Sequence, residues 1–436
     1  MLTKDQMNRR SFLRTAGLGI AGMTLLPAFA KTQSPAPSDT VRLGFIGLGQ
    51  QAMFLLNGFM QIPGVEIVAG CDVYAIKRER FAKRTADFYA NAQKGIKPTT
   101  CERYQDLLER RDIDAVVIAT PDHWHALIAI AALKAGKDVY LEKPMTFTIY
   151  EGQQLVKAVR KNKRVLQVGS QQRSDSSFRH AVTLVQNGTL GAIEKVNAYV
   201  GAPPRPYDLP EEPLPAGLNW DLWLGPLSEK IHYNKELNPP ISVSPEQNEA
   251  FWGGWRWYKE MGGGFTTDWG AHMFDIAQWG LGMDGNGPIE VIPAGFGSTK
   301  YLTYKYANGV VMTEEPFDEP KTKGVKFWGS KGWIEVSRGL FKSSDPSWKP
   351  TAESVQDGPY ETRIPHQTNF IECVRSRKDP VVPVETGHSS CSVCTLGNIA
   401  YDLKRPVKWD PIRQKFLSDP EAAQQLHYTY RKGYKL

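Results

Sequence analysis

The 436-residue chain has little of what marks several large classes of protein. Its five cysteines, Cys71, Cys101, Cys373, Cys391 and Cys394, are too few and too dispersed for a disulfide framework. Long hydrophobic runs are missing: the apolar stretch from Ala16 to Ala30 is interrupted by Pro27 and is too short to span a bilayer. No dense Lys/Arg block occurs, and the 53 basic residues are scattered among 46 acidic ones, so the footprint of a nucleic-acid partner is missing too. His388, Cys391 and Cys394 fall at i, i+3 and i+6 of an expected helix and fan across it, which leaves no metal site to expect. With 41% hydrophobic and 23% charged residues, the chain is neither disordered nor collagen-like and can build two domains with separate cores.

The N-terminus has its own anatomy. Arg9-Arg10-Ser11-Phe12-Leu13 precedes a moderately apolar run that ends in Ala28-Phe29-Ala30. Residues 1–30 therefore read as a twin-arginine export signal cleaved after Ala30, and residues 31–39 as a polar linker. The expected location is the periplasm, with no stable membrane insertion. That export route moves folded proteins, so the thiols first meet a reducing cytoplasm.

From Val41 onward, short β-branched runs alternate with longer amphipathic ones, the pattern of a parallel sheet covered by helices on both faces. Residues 40–170 are thus expected to form a Rossmann domain. Its first turn, Gly47-Leu48-Gly49-Gln50-Gln51-Ala52, has the G-x-G-x-x-G/A form of a dinucleotide fingerprint between an expected strand and helix. Gly47 allows the tight turn, Gly49 lets the backbone approach a pyrophosphate, and Ala52 permits close helix–strand packing. Asp72 ends the next strand about 20 residues on, where a carboxylate binds the ribose 2′-hydroxyl and repels a 2′-phosphate. NAD(H) is therefore favoured, although Lys77 and Arg78 just beyond keep NADP(H) open.

The texture then changes. Residues 171–436 read as an α+β domain: one more helix, a strand, a Pro- and Trp-rich segment from about Pro203 to Trp257, then successive strands that make a large, mostly antiparallel open sheet. Ligands of parallel sheets bind beyond the carboxyl ends of the strands. Two clusters stand there: Thr120, Pro121, Asp122, His123, Trp124 and His125 after one strand, and Glu142, Lys143 and Pro144 after the next. A third lies in Met261–Asp275. If Thr266 or Thr267 caps a helix starting near Asp268, then Asp268, His272, Asp275 and Trp279 share one face. The glycines at 262–264 are expected to clear space for substrate or nicotinamide. Trp220, Trp223, Trp252, Trp255 and Trp257 offer flat faces suited to pyranose rings, or to a core or subunit interface.

The runs GFIGLGQQA, ATPDHWHALIAIAALKAGKDVYLEKP and GGGFTTDWGAH resemble the glucose–fructose oxidoreductase and inositol dehydrogenase (Gfo/Idh/MocA) family, and NWDLWLGP, RWYKEMGGG and LGNIAYDL resemble its exported branch. The resemblance covers nearly the whole chain after residue 40. It implies hydride transfer to NAD(H) from a secondary hydroxyl, C3 first, of a pyranose or glycoside; the export signal for folded proteins beside a complete dinucleotide site adds the expectation that the NAD(H) is tightly bound. It also implies a homodimer or homotetramer built through the open sheet. Lys143 matches the lysine of E-K-P; His272 matches the proton acceptor, with Asp268 its partner. Either Lys143 or His272 can be the immediate base. Gly47, Gly49, Gln50, Gln51, Asp72, Thr120, Pro121, His125, Glu142 and Lys143 are expected at the cofactor, and Trp124, His125, Arg173, Trp255 and Trp257 at the substrate. The family also contains NAD-dependent glycosidases that oxidise, eliminate, hydrate and reduce again. The Tyr-Pro-Thr-His run associated with their N-acetylgalactosaminidase branch is missing here. A cofactor-bearing binding protein with an idle catalytic pair is the third reading.

Overall fold

The computed structural model describes residues 39–243, 252–317, 322–350 and 363–436. The expected export signal and residues 31–38 of the linker lie outside them. The first half runs β1 (Val41–Ile46), α1 (Gln50–Phe59), β2 (Val65–Cys71), α2 (Ala75–Asn91), β3 (Thr99–Cys101), α3 (Tyr104–Leu108), β4 (Ala115–Ile118), α4 (Asp122–Lys134), β5 (Asp138–Leu141), α5 (Ile149–Asn162) and β6 (Leu166–Val168). All six strands are parallel, in the order β3-β2-β1-β4-β5-β6. Leu43, Phe45, Val116 and Val117 are fully buried because helices cover both faces. The order reverses between β1 and β4, and a crevice opens there at the strands' carboxyl ends. Strand β3 was not expected: three residues, Thr99–Cys101, are too few to show an alternating pattern.

The second half comprises α6 (Ser176–Gln186), β7 (Ile193–Tyr199), α7 (Trp220–Leu224), α8 (Gly264–Asp268), α9 (Gly270–Gly280), β8 (Glu290–Ile292), β9 (Thr303–Lys305), β10 (Val311–Thr313), β11 (Gly324–Gly329), β12 (Gly332–Ser337), β13 (Leu340–Ser343), α10 (Arg363–Ser376), α11 (Val384–Leu403), β14 (Val407–Asp410), β15 (Lys415–Phe416) and α12 (Pro420–Gln424). The described strands form one sheet in the order β13-β12-β11-β7-β10-β9-β8-β14-β15, antiparallel except where β10 meets β7. Helices α6, α9 and α11 cover one face, with Phe274, Tyr304, Phe327 and Leu396 in the core between. The short strands β13, β14 and β15 also escaped the sequence reading.

Two features position the site. The described residues of the Pro- and Trp-rich segment pack around Trp223, Leu237, Trp255 and Tyr258 and lean on the crevice. Helix α10 returns to the first sheet, where Phe370 and Ile371 pack with Phe45 and Phe59. Residues far beyond 170 thus pack against the Rossmann core.

Candidate active site

The crevice is a cavity of about 470 Å³ along the glycine-rich turn. Gly47 has φ +81°, and a Cβ there would meet Thr120 N at 2.7 Å, so a side chain is excluded both by backbone angle and by space. A Cβ on Gly49, the N-cap of α1, would meet nothing within 4 Å, because that position faces the cavity. The first turn of α1 holds no acidic residue, and its N-terminal N–H groups point where an anion binds. Asp72 Oδ2 accepts from Leu48 N at 2.7 Å and Oδ1 from Tyr74 N at 2.9 Å, tying the end of β2 to the turn. Gln50, Gln51, Thr120, Pro121, Trp124 and Trp255 line the same cavity.

Beyond β5, Glu142 is buried and accepts from Gln51 Nε2 at 2.7 Å, which links it to the turn. Lys143 reaches in the other direction: its Nζ donates to the Asp268 carboxylate at 2.8 Å and to the Asp268 carbonyl at 2.9 Å. Lys143 and Asp268 lie 125 positions apart in sequence. Arg256 Nε stands 3.7 Å from the same carboxylate, and Arg256 lines the cavity, so the ion pair adjoins the groove. Burial pushes the Asp268 carboxyl up, but the charges of Lys143 and Arg256 outweigh it and hold its pKa below the usual value. The loop after Lys143 is anchored at the start of α5 by a reciprocal capping pair, Thr148 and Glu151, and Tyr430 donates to Glu151 at 2.5 Å.

His272, in the first turn of α9, receives Arg338 Nη2 at 3.1 Å on Nε2. A guanidinium only donates, so Nε2 presents its lone pair and the imidazole is neutral. Burial first, then the charges of Lys143, Arg338 and Arg363, hold its pKa well below 6.5. Asp122 stands near this group, its pKa raised to about 8 by burial with the Asp268 charge adding, against Arg256 and Lys143. Burial thus favours its protonated form.

Several expectations need correction. Thr266 and Thr267 do not cap: α8 begins at Gly264 with Gly263 as N-cap, and the helix breaks at Trp269 before α9. The expected polar face accordingly divides, with Asp268 on Lys143, His272 on Arg338, and Asp275 on Arg173. The three glycines clear no space for a ligand. Cβ atoms at 262, 263 and 264 would meet Arg256 Cα at 2.7 Å, Thr267 Cγ2 at 2.2 Å and Pro204 N at 2.4 Å, so they serve close backbone packing. Arg173, expected at the substrate, is buried and gives four hydrogen bonds of 2.7–2.8 Å to Asp275 and Asp284. His125 is buried between the carbonyls of Pro144, 2.8 Å from Nδ1, and Thr120, 3.0 Å from Nε2, bracing two loops instead of lining the cavity. Trp257 stacks on Phe265 at 4.3 Å, away from the groove.

Other lining residues went unread. Arg256 sits over Trp252 at 5.2 Å and Trp255 at 4.3 Å, and Arg80 bonds Leu48 O at 2.8 Å. Gly433 and Tyr434, from the far end of the chain, close the cavity's outer wall, with Tyr434 against Trp124 at 5.6 Å. Nothing local in the sequence marks such a return. Among the described residues no group of three or more His, Cys, Asp or Glu side chains is placed to hold a metal.

Comparison with known proteins agrees with this geometry. An oxidoreductase-family model of the NAD-binding Rossmann fold matches residues 41–170, and the family's C-terminal alpha/beta domain model matches residues 196–436. The chain belongs to the Gfo/Idh/MocA family. A glycosyl hydrolase family 109 protein of Shewanella baltica (strain OS185) is 30% identical over 208 residues, 43% of this chain and 44% of that protein. The alpha-N-acetylgalactosaminidase of Shewanella oneidensis is 33% identical over 171 residues, 34% of this chain and 36% of the relative. The matches thus span less than half the length of these curated relatives. The WlbA dehydrogenase from Bordetella pertussis, solved with NADH and UDP-GlcNAcA, shares the fold at TM-score 0.60 and 18% identity, over 86% of this chain and 99% of that one.

The Gfo/Idh/MocA groove here fits NAD(H). Gly49 and the α1 N-terminus suit the pyrophosphate, and Asp72 suits the ribose. Of the cations that kept the phosphorylated cofactor open, Lys77 lines the cavity but donates to Asn238 at 2.7 Å, and Arg78 donates to the Asp72 carbonyl at 2.6 Å. Asp72→Ala removes both the ribose partner and the tie to Leu48. Titrating both cofactors, we expect NAD affinity to fall and the preference over NADP to narrow roughly tenfold, about 1.4 kcal/mol. An unchanged preference would remove this assignment.

Proposed function

We propose that the chain is an NAD(H)-dependent oxidoreductase acting on a secondary ring hydroxyl, C3 first, of a pyranose sugar or glycoside. The observation that carries this reading is the Lys143–Asp268 pair, closed at 2.8 Å beside neutral His272 and next to the dinucleotide groove. Bound nicotinamide would supply the hydride acceptor. The chain's own side chains handle the proton: as the carbinol hydrogen leaves with its electron pair, the hydroxyl proton must leave too. His272 is the acceptor once the substrate hydroxyl takes the place of the Arg338 guanidinium at Nε2, and the Lys143 ammonium, held by Asp268, stabilises the developing alkoxide. Trp255 and Trp124 line the cavity, and their flat faces suit a sugar ring.

The depressed pKa of His272 has a sign. Its accepting form persists above its own pKa, so kcat/KM should stay flat through pH 6.5 and fall only well below it. Arg338→Met removes one of the charges that depress it, and the acid limb should move upward. A wild-type inflection near 6.5 that disappears in His272→Asn would contradict this environment.

The relatives named as a family 109 glycosyl hydrolase and an alpha-N-acetylgalactosaminidase favour a second reading, redox-neutral cleavage in which the same hydroxyl is oxidised, the aglycone eliminated, water added across the resulting double bond, and the ketone reduced again. A panel of sugars and glycosides separates the two. A keto-sugar lacking two hydrogens marks the oxidoreductase, and aglycone release without net NADH marks the glycosidase. Turnover confined to non-carbohydrate alcohols sinks both. We further propose that the protein is exported to the periplasm with NAD(H) already bound and assembles as a homodimer or homotetramer. The Arg9-Arg10 signal anatomy and the complete dinucleotide groove support the export reading.

A further inference from the structure

The ends of β2 and β3 place two thiols side by side. Cys71 and Cys101 are register partners in adjacent parallel strands, and each is the last residue of its strand. Register partners point to the same face of a sheet, and both side chains join the same hydrophobic cluster. Neighbouring strands run about 4.7–4.9 Å apart, inside the roughly 4.4–6.8 Å between Cα atoms that a disulfide bridges. Cys71 is buried and lines the nucleotide cavity, whereas Cys101 is partly exposed.

We propose that Cys71 and Cys101 form a dithiol site that oxidises to an intramolecular disulfide in the wall of the nucleotide cavity, weakening dinucleotide binding. The two thiols have different roles. The neighbouring Cys71 thiol lowers the Cys101 pKa against burial and the Asp106 charge, which raise it, and Arg110 and Arg78 lower it further. Cys101 in turn, with burial, raises Cys71 well above its usual value. Cys101, the partly exposed thiol, is the one that a small disulfide reaches first, and buried Cys71 is the resolving thiol.

The oxidant is a small disulfide. The Cys101 thiolate attacks one of its sulfurs, forming a mixed disulfide and expelling one thiolate. Cys71 then loses its proton and attacks Cys101 Sγ, expelling the second. Two protein thiols are oxidised and one small disulfide is reduced to two thiols. The coupling to dinucleotide follows from position: Asp72 comes directly after Cys71, and its N–H donates to Cys101 O at 3.2 Å while its carboxylate holds Leu48. Drawing the thiols together shifts the residue that ties the turn to β2. This inference rests on the dinucleotide groove and not on the substrate, so it survives if the carbohydrate reading fails.

The test treats the folded full chain with oxidised glutathione, quenches with an alkylating agent in denaturant, and maps peptides by mass spectrometry. We expect the Cys71 and Cys101 peptides to be joined, with a loss of about 2 Da and no bound glutathione, while Cys373, Cys391 and Cys394 stay alkylatable. Cys71→Ser should instead stop at the Cys101–glutathione mixed disulfide. NAD titration of the oxidised and reduced forms should differ by roughly threefold or more, and reduction should restore the original affinity. Five alkylatable cysteines after treatment, or a mixed disulfide that persists in the unmodified chain, overturns the site. A mapped bridge with unchanged NAD affinity overturns its coupling to the cavity.

Discussion

Replacing Lys143 by alanine should lower kcat by roughly 10²–10⁴ while leaving the fold and the bound dinucleotide in place, the range usual for a positioned acid–base group. The structure explains both halves of that expectation. Lys143 Nζ bonds the Asp268 carboxylate and carbonyl but contributes nothing to the glycine turn or to the Asp72 tie. Its removal leaves Asp268 beside Arg256, which stands 3.7 Å away and partly compensates the carboxylate. Burial then acts on a carboxylate with one charge partner fewer, so the Asp268 pKa should rise from its depressed value. Steady-state kinetics with the substrate found in the sugar panel, alongside NAD titration and circular dichroism, checks the result. Turnover at the unmodified rate would make Lys143 a structural residue. Equal losses of activity and NAD binding would place it on the cofactor instead.

Asp275→Ala should have the largest effect on stability. Arg173 and Asp275 are 3% and 0% exposed at their side chains, and Ser390 Oγ adds a 2.6 Å bond to the same carboxylate. Burial works against the Arg173 charge, yet Asp275 and Asp284 outweigh it and raise the guanidinium pKa. Removing Asp275 strands a buried cation with only Asp284, whose side chain is 37% exposed. Breaking a buried pair in this way costs about 3–5 kcal/mol. Urea unfolding should show a loss of that size, and the double replacement of Arg173 by Met and Asp275 by Leu should recover much of it. A loss under about 1 kcal/mol for Asp275→Ala would mean that water enters and screens the pair, contrary to its burial.

Arg173 also shows where sequence reading stopped. An arginine after a strand of a Rossmann sheet looks available to substrate, and only the fold shows α9 bringing Asp275 against it from 102 positions away. The same holds for the Met261–Asp275 stretch, whose three glycines suggested open space. Whether a glycine faces a ligand or another backbone depends on what the chain packs there, and here Arg256, Thr267 and Pro204 fill the space. His125 looked like a ligand because it stands in a polar cluster at a strand end. Two carbonyls from separate loops make it a brace instead.

The sequence by itself determined the parts governed by local rules. The alternation of β-branched and amphipathic runs specified the parallel sheet, because a 2- or 3.6-residue period decides which faces can be buried. The spacing of Gly47, Gly49 and Ala52 and the position of Asp72 specified the dinucleotide turn, because backbone angle and side-chain size act within a few residues. Tertiary structure alone decided what meets across the crevice: Lys143 with Asp268, Arg338 with His272, α10 beneath α1, and Tyr434 at the cavity mouth. These contacts join residues tens to hundreds of positions apart. They depend on how separately specified elements dock, and that is settled by burial of the whole core rather than by any local period.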